Sequence, residues 1–199
     1  MAKPEAILNK ADEAMESPEL VEELVEALSG ASRRERQKAA SVLAVVAKKK
    51  PELLQPATEQ FVEALNVPEA QTRWEVLDVL TELVPLEARV CEKAVPEADA
   101  ALFDEDSGPA RLAAMRFLCR LGATTEKRSE KVWPLIDEGI QCYHGDLEFQ
   151  DMLTAVVGFS EGKLAPEVKA ALKERMGFDA TNSKGALQRK AASIVQNVS

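Results

Sequence analysis

Apolar residues recur along this chain three, four, six and seven positions after an arginine or its stand-in, and the whole group returns at intervals of 37, 38, 38 and 39 residues. Arg36 precedes Ala39, Ala40, Val42 and Leu43; Arg73 precedes Val76, Leu77, Val79 and Leu80; Arg111 precedes Ala114, Met115, Phe117 and Leu118. Phe149 and Gln188 take the arginine's place in the last two copies, before Met152, Leu153, Ala155 and Val156 and before Ala191, Ala192, Ile194 and Val195. The tenth offset is apolar in every copy: Val46, Leu83, Leu121, Phe159 and Val198. These spacings describe one face of an α-helix, so each copy predicts a helix with one buried side. A face repeated at fixed period predicts helices that bury themselves against the next copy, a stack rather than an enclosed pocket.

A preceding helix completes each unit. Ser17 and Pro18 read as a cap and a first helical residue ahead of Leu20, Val21, Leu24, Val25 and Leu28. Pro51 is expected to open the next first helix, through Phe61 and Leu65, with a short connection at Pro68 into a helix over 69–84. The third unit's first helix is expected over 86–104 with a bend at Pro96, the fourth's over 126–143, and the fifth's from Pro166 to near Gly177. A polar run, 179–184, is read as the connection into the last helix, and Gly158 and Gly162 are read as a turn. Together these predict a single all-α domain, 1–199, with a cap helix in 1–16 and repeats near 17–50, 51–84, 85–122, 123–160 and 161–199.

The arginine followed by small and aliphatic residues, seen from Arg36, Arg73 and Arg111, resembles the second helix of HEAT repeats and, more broadly, the armadillo-like families. That resemblance implies a right-handed αα-superhelix, a HEAT-like solenoid of about five helix pairs, whose commonest role is noncatalytic protein binding or scaffolding. The repeated arginines themselves are expected to bond neighbouring carbonyls or carboxylates.

Polar residues inside these apolar helices mark a candidate binding face. The fifth offset holds Ser41, Asp78, Arg116, Thr154 and Ser193, and the ninth holds Val45, Glu82, Arg120, Gly158 and Asn197. Residues four apart are helix neighbours, so both positions share one side. In the resembled families second helices line the inner surface, which makes Asp78, Glu82, Arg116, Arg120 and Thr154 the candidate residues for a protein or peptide partner. Charges of both signs would orient such a partner. The competing reading is an ordinary solvated face whose opposite charges satisfy one another.

Composition narrows the chemistry. Acidic residues outnumber Lys and Arg by 34 to 25, a formal charge of −9, which opposes nonspecific nucleic-acid binding. The nucleic-acid alternative would use Arg33, Arg34, Lys127 and Arg128, and a resemblance to helical-repeat alkylpurine DNA glycosylases would add Trp74 and Trp133 as stacking surfaces with Asp78 or Asp151 near a damaged nucleotide. His144 is the only histidine, in a Tyr-His-Gly-Asp turn, and is read as a turn or surface residue. Cys91, Cys119 and Cys142 lack CxxC spacing, and no phosphate-loop or dinucleotide fingerprint occurs. The sequence therefore predicts neither catalytic residues nor a cofactor or metal. The start has no signal-like apolar core and no stretch approaches the roughly 20 apolar residues of a membrane span, so a reducing cytoplasm and a monomer or weak homo-oligomer are expected. The unlike charge of residues 5–26 and 163–190 would favour any such association.

Overall fold

The computed structural model describes residues 3–199, and these form α-helices, 3₁₀ turns and loops with no strand. The helices are α1 (Glu5–Ala14), α2 (Pro18–Ala27), α3 (Arg33–Lys49), α4 (Thr58–Glu63), α5 (Ala70–Cys91), α6 (Val95–Leu102), α7 (Gly108–Gly122), α8 (Glu126–Cys142), α9 (Phe149–Ser160), α10 (Pro166–Asn182) and α11 (Gly185–Asn197). The chain divides into two compact units, Met1–Ala101 and Leu102–Ser199.

In the first unit the second helices α3 and α5 lie side by side, α1 covers the other flank of α3, and α2 and α4 pack on α3 and α5 respectively. α1 thereby covers an apolar flank of α3 and buries its own Ala11 and Ala14 there. Phe61, Leu43, Leu77, Leu80 and Leu83 are fully buried between these layers. In the second unit α7, α9 and α11 form the second-helix row, with α8 on α7 and α10 on α11. Phe117, Leu118, Met115 and Phe159 fill its core.

Hydroxyl caps start several helices where the sequence places them. The side chains of Ser17, Ser32, Ser107 and Thr125 accept from the amides of Leu20, Glu35, Ala110 and Arg128. Each satisfies an amide that the helix leaves without a partner, worth about 1 kcal/mol. α10 begins differently: its Ala165 amide donates to Ser129 Oγ of α8 at 3.0 Å, one repeat away. Gly162 is required by close approach, since a Cβ there would stand 2.6 Å from the Ala123 backbone. That approach lets the Lys163 amide donate to the Ala123 carbonyl at 2.8 Å.

Four boundaries differ from expectation. Pro51 opens a 3₁₀ turn, not a long helix; a second turn covers Gln55–Ala57 and leaves α4 only six residues. With Pro56 lacking an amide, the chain cannot settle into α-helix until Thr58. α5 runs through Pro85 and breaks at Glu87 (φ −136°, ψ 43°), while Pro96 sits harmlessly in the first turn of α6. α10 continues past Gly177 to Asn182, because Asp179 turns inward and is held by Ser183 and His144. Gly158 lies within α9 and only Gly162 is in the turn. The last copy also buries less than its pattern predicts: Ala192 is exposed.

Candidate functional site

The repeated arginines anchor connections. Arg36 of α3 donates to the Gly30 carbonyl at 2.7 Å and forms an ion pair with buried Glu69, just before α5. Arg111 of α7 repeats the plan with the carbonyls of Asp104 and Glu105 and with Glu148, just before α9. Its guanidinium also lies 5.2 Å from the centre of the Tyr143 ring. The hydrogen bond from Arg36 holds the Glu69 carboxyl below its ordinary range, against the opposing effect of burial. Other polar links follow the same one-repeat step: Arg175 grips Asp137 through two bonds of 2.6 and 2.9 Å, and Asn197 donates to Ser160 at 2.9 Å.

The face predicted for binding is uneven. In the first unit Ser41 is buried, its hydroxyl donating to Glu75 at 3.0 Å while Gln71 approaches from the same helix. Lys3 also pairs with Glu75. Asp78 and Glu82 lie one turn apart on α5, both half-buried, with Lys48 3.8 Å from Asp78. Glu75 was missed in the sequence because it occupies neither the polar fifth nor the polar ninth offset.

In the second unit α7 carries Arg116 and Arg120, half-buried and exposed, one turn apart. Neither makes a hydrogen bond or ion pair with the described residues. Thr154 is exposed on α9, which packs directly on α7, and its hydroxyl returns to the Gln150 carbonyl of its own helix. A Cβ on Gly158, one turn further, would meet nothing within 4 Å. α7 and α9 thus share an open shelf with two free guanidinium groups at one edge. Such groups can bind carboxylates or carbonyls in a bidentate manner.

The alternative residues are dispersed on separate elements. Arg33 and Arg34 are exposed at the start of α3, while Lys127 and Arg128 start α8, where Arg128 donates to Thr124 at 3.3 Å. Trp133 stacks on Phe159 with ring centres 6.4 Å apart, so packing occupies a face that a base would need. Trp74 is half-buried in α5. His144 is exposed as expected, but its ring also meets Asp179 at 3.1 Å and Phe149 at 4.9 Å. Cys91 and Cys119 are buried, and burial pushes the Cys119 thiol well up from its ordinary value; Cys142 is exposed. Among the described residues no group of His, Cys, Asp and Glu could hold a metal ion, and no helix is long and apolar enough to cross a membrane.

Comparison with solved structures shows the fold. A designed armadillo repeat protein in complex with the peptide (KR)4 superposes with a TM-score of 0.76 at 15% identity, covering 98% of this chain and 92% of that one. The armadillo-repeats-only protein from Plasmodium falciparum gives 0.66 at 14% identity, covering 100% of both chains. The archaeal HEAT-like repeats protein from Thermococcus onnurineus gives 0.58 at 13% identity, covering 98% of this chain and 93% of that one. No family model and no curated protein matches the sequence. The chain has the all-α helical-repeat fold of the HEAT and armadillo-like proteins.

Proposed function

We propose that this protein is a noncatalytic interaction module that binds a protein or peptide through its second-helix faces. Asp78 and Glu82 are the contacts offered by the first unit, and Arg116, Arg120 and Thr154 those offered by the second. The observation that carries the reading is the contrast among arginines. Arg36 and Arg111 are consumed by carbonyls and carboxylates, whereas Arg116 and Arg120 stand without a partner beside the open helix α9. A half-buried guanidinium gives up part of its hydration, and a partner's carboxylate or carbonyl restores the lost bonds. One fold neighbour was solved with the peptide (KR)4, which supports peptide binding as a use of this fold.

The test is affinity capture from the source cell with the unaltered chain and with two variants. Asp78→Asn with Arg116→Gln should lose a partner that a matched pair, Glu138→Gln with Lys173→Gln, retains. Both variants should keep the unaltered helical circular dichroism. Equal retention by both, or no reproducible protein partner for the unaltered chain, would defeat the reading.

A further inference from the structure

A groove lies on the other kind of face, between first helices of the first unit. α2 packs on α3 and α1, and α4 on α5, but α2 and α4 scarcely touch each other. Two continuous cavities of about 450 and 340 Å³ fill the gap and share Val25, Glu26 and Gln60. The gap has a cause in sequence. The paired 3₁₀ turns shorten α4, and Ala57 and Ala64 face α2 where larger side chains would close the space. Val21, Val25 and Leu28, spaced four and three apart, form the buried base of the groove beside α2, and Met15, Leu53, Pro56 and Val67 supply the apolar surface around it that stays open.

The rim selects the occupant. Glu22 and Glu26 of α2 and Glu63 of α4 are exposed at the groove, and none pairs with a cation of the described residues. Glu22 and Glu26 are like charges one turn apart, which repel. Glu26 and Glu63 also fall in the last turns of their helices, neither of which carries a basic residue. Carboxylates at a helix C-terminus oppose the macrodipole. Both effects disfavour the empty groove, and cations brought by a partner relieve both. The two C-terminal ends lie together, since Leu28 and Ser29 line the same cavity as Ala64 and Val67.

We propose that this groove docks a basic amphipathic helix of a partner protein, its apolar stripe on the open apolar surface beside α2 and its Lys or Arg residues against Glu22, Glu26 and Glu63. α2 has 10 residues, so the groove beside it is about 15 Å long and takes apolar anchors at i, i+3 or i+4, and i+7. The surface is separate from the second-helix residues proposed above, and its occupant has the opposite charge from one selected by Arg116 and Arg120.

The test titrates the full chain with a labelled helical peptide of about fourteen residues, roughly 21 Å long, bearing a leucine stripe and Lys flanks, and with its Glu-flanked twin. The Lys peptide should bind and the Glu peptide should not. The triple variant Glu22→Lys/Glu26→Lys/Glu63→Lys should weaken the Lys peptide about tenfold or more by placing like charges across the interface. Ala57→Phe, which fills the groove without changing charge, should weaken it as well. A control with the same charge change elsewhere, Glu138→Lys/Glu161→Lys/Glu174→Lys, and the variant Arg116→Gln/Arg120→Gln should stay within about threefold, the salt-sensitive effect of surface charge alone. Equal loss in the charge control, undiminished binding by Ala57→Phe, or no binding of the Lys peptide would overturn the proposal. Concentration-dependent self-association abolished by the groove variants would also overturn it, by naming a second copy as the occupant.

Discussion

Helices α3 and α9 carry the same repeat pattern yet present opposite surfaces. Nine successive residues of α3, from Ala39 to Ala47, are buried, Ser41 at the fifth offset among them. At the same offset of α9 Thr154 is exposed, and at the ninth Gly158 faces open space. Both helices are flanked on two sides, α3 by α1 and α5 and α9 by α7 and α11, so the number of neighbours does not explain the difference. The second offset of the following copy does. There Glu75 leans onto Ser41, with Gln71 and Lys3 beside it. The equivalent Lys190 donates to the Gln150 carbonyl, the same acceptor that Thr154 uses within its own helix. A polar position in one copy is therefore open or closed according to the side chain its neighbour supplies.

The largest test of that comparison places a carboxylate at the two equivalent sites. Ser41→Asp sets a second acid against buried Glu75 and should cost about 3 kcal/mol, whereas Thr154→Asp should fall within about 0.5 kcal/mol of the unaltered chain. Urea unfolding reads both. A similar loss in the two variants would mean that Ser41 is not enclosed by its neighbour.

Next in size is the contrast among arginines. Arg36→Ala strands Glu69 and the Gly30 carbonyl and should cost about 2 kcal/mol in the same measurement. Arg111→Ala should cost somewhat less, about 1.5 kcal/mol, because Glu148 is more exposed than Glu69 and can recover water. Arg116→Ala breaks no bond to the described residues and should change stability by less than about 0.5 kcal/mol while weakening the proposed partner. A stability loss at Arg116 equal to that at Arg111 would make it an anchor instead of a contact.

The stack and its second helices were legible because one apolar face repeats at helical spacing from Arg36 to Gln188. The anchoring use of Arg36 and Arg111 followed from the same repeat, as a buried guanidinium needs acceptors and the preceding turn provides them. What escaped depended on side chains one repeat away. Ser41 looked as open as Thr154 until Glu75 was placed over it. The 179–184 run looked like loop because its polarity hid an inward bond from His144 to Asp179, 35 residues distant. The groove beside α2 was visible only as a run of acidic residues, since its walls depend on how little of 51–63 becomes α-helix. Of the candidate residues, the pattern identified which share a helix side, but could not tell that Asp78 has Lys48 within reach while Arg116 and Arg120 have no such companion.

The smallest effect is a pH dependence that separates the two arginine anchors. Glu69 is the deprotonated partner of Arg36, and the hydrogen bond from Arg36 lowers its folded pKa below the ordinary carboxylate value of 4.5. A carboxyl lowered on folding contributes stability that is fully present above its unfolded pKa and fades as pH falls from about that value through the folded one. Stability of the unaltered chain should therefore fall with acidification below about pH 4.5 in part through this group. Arg36→Met removes the cause of the lowering, so its stability deficit should be greatest at neutral pH and shrink as acid protonates Glu69 in both proteins. Glu148 is more exposed than Glu69 and can recover water when its arginine is removed, so the deficit of Arg111→Met should be the smaller one over the same range. Urea midpoints from pH 7 to pH 3 measure the two deficits. A deficit at Arg36 that stays constant, or grows, toward low pH would mean that its carbonyl bond to Gly30, not its hold on Glu69, is what stabilises the turn into α3.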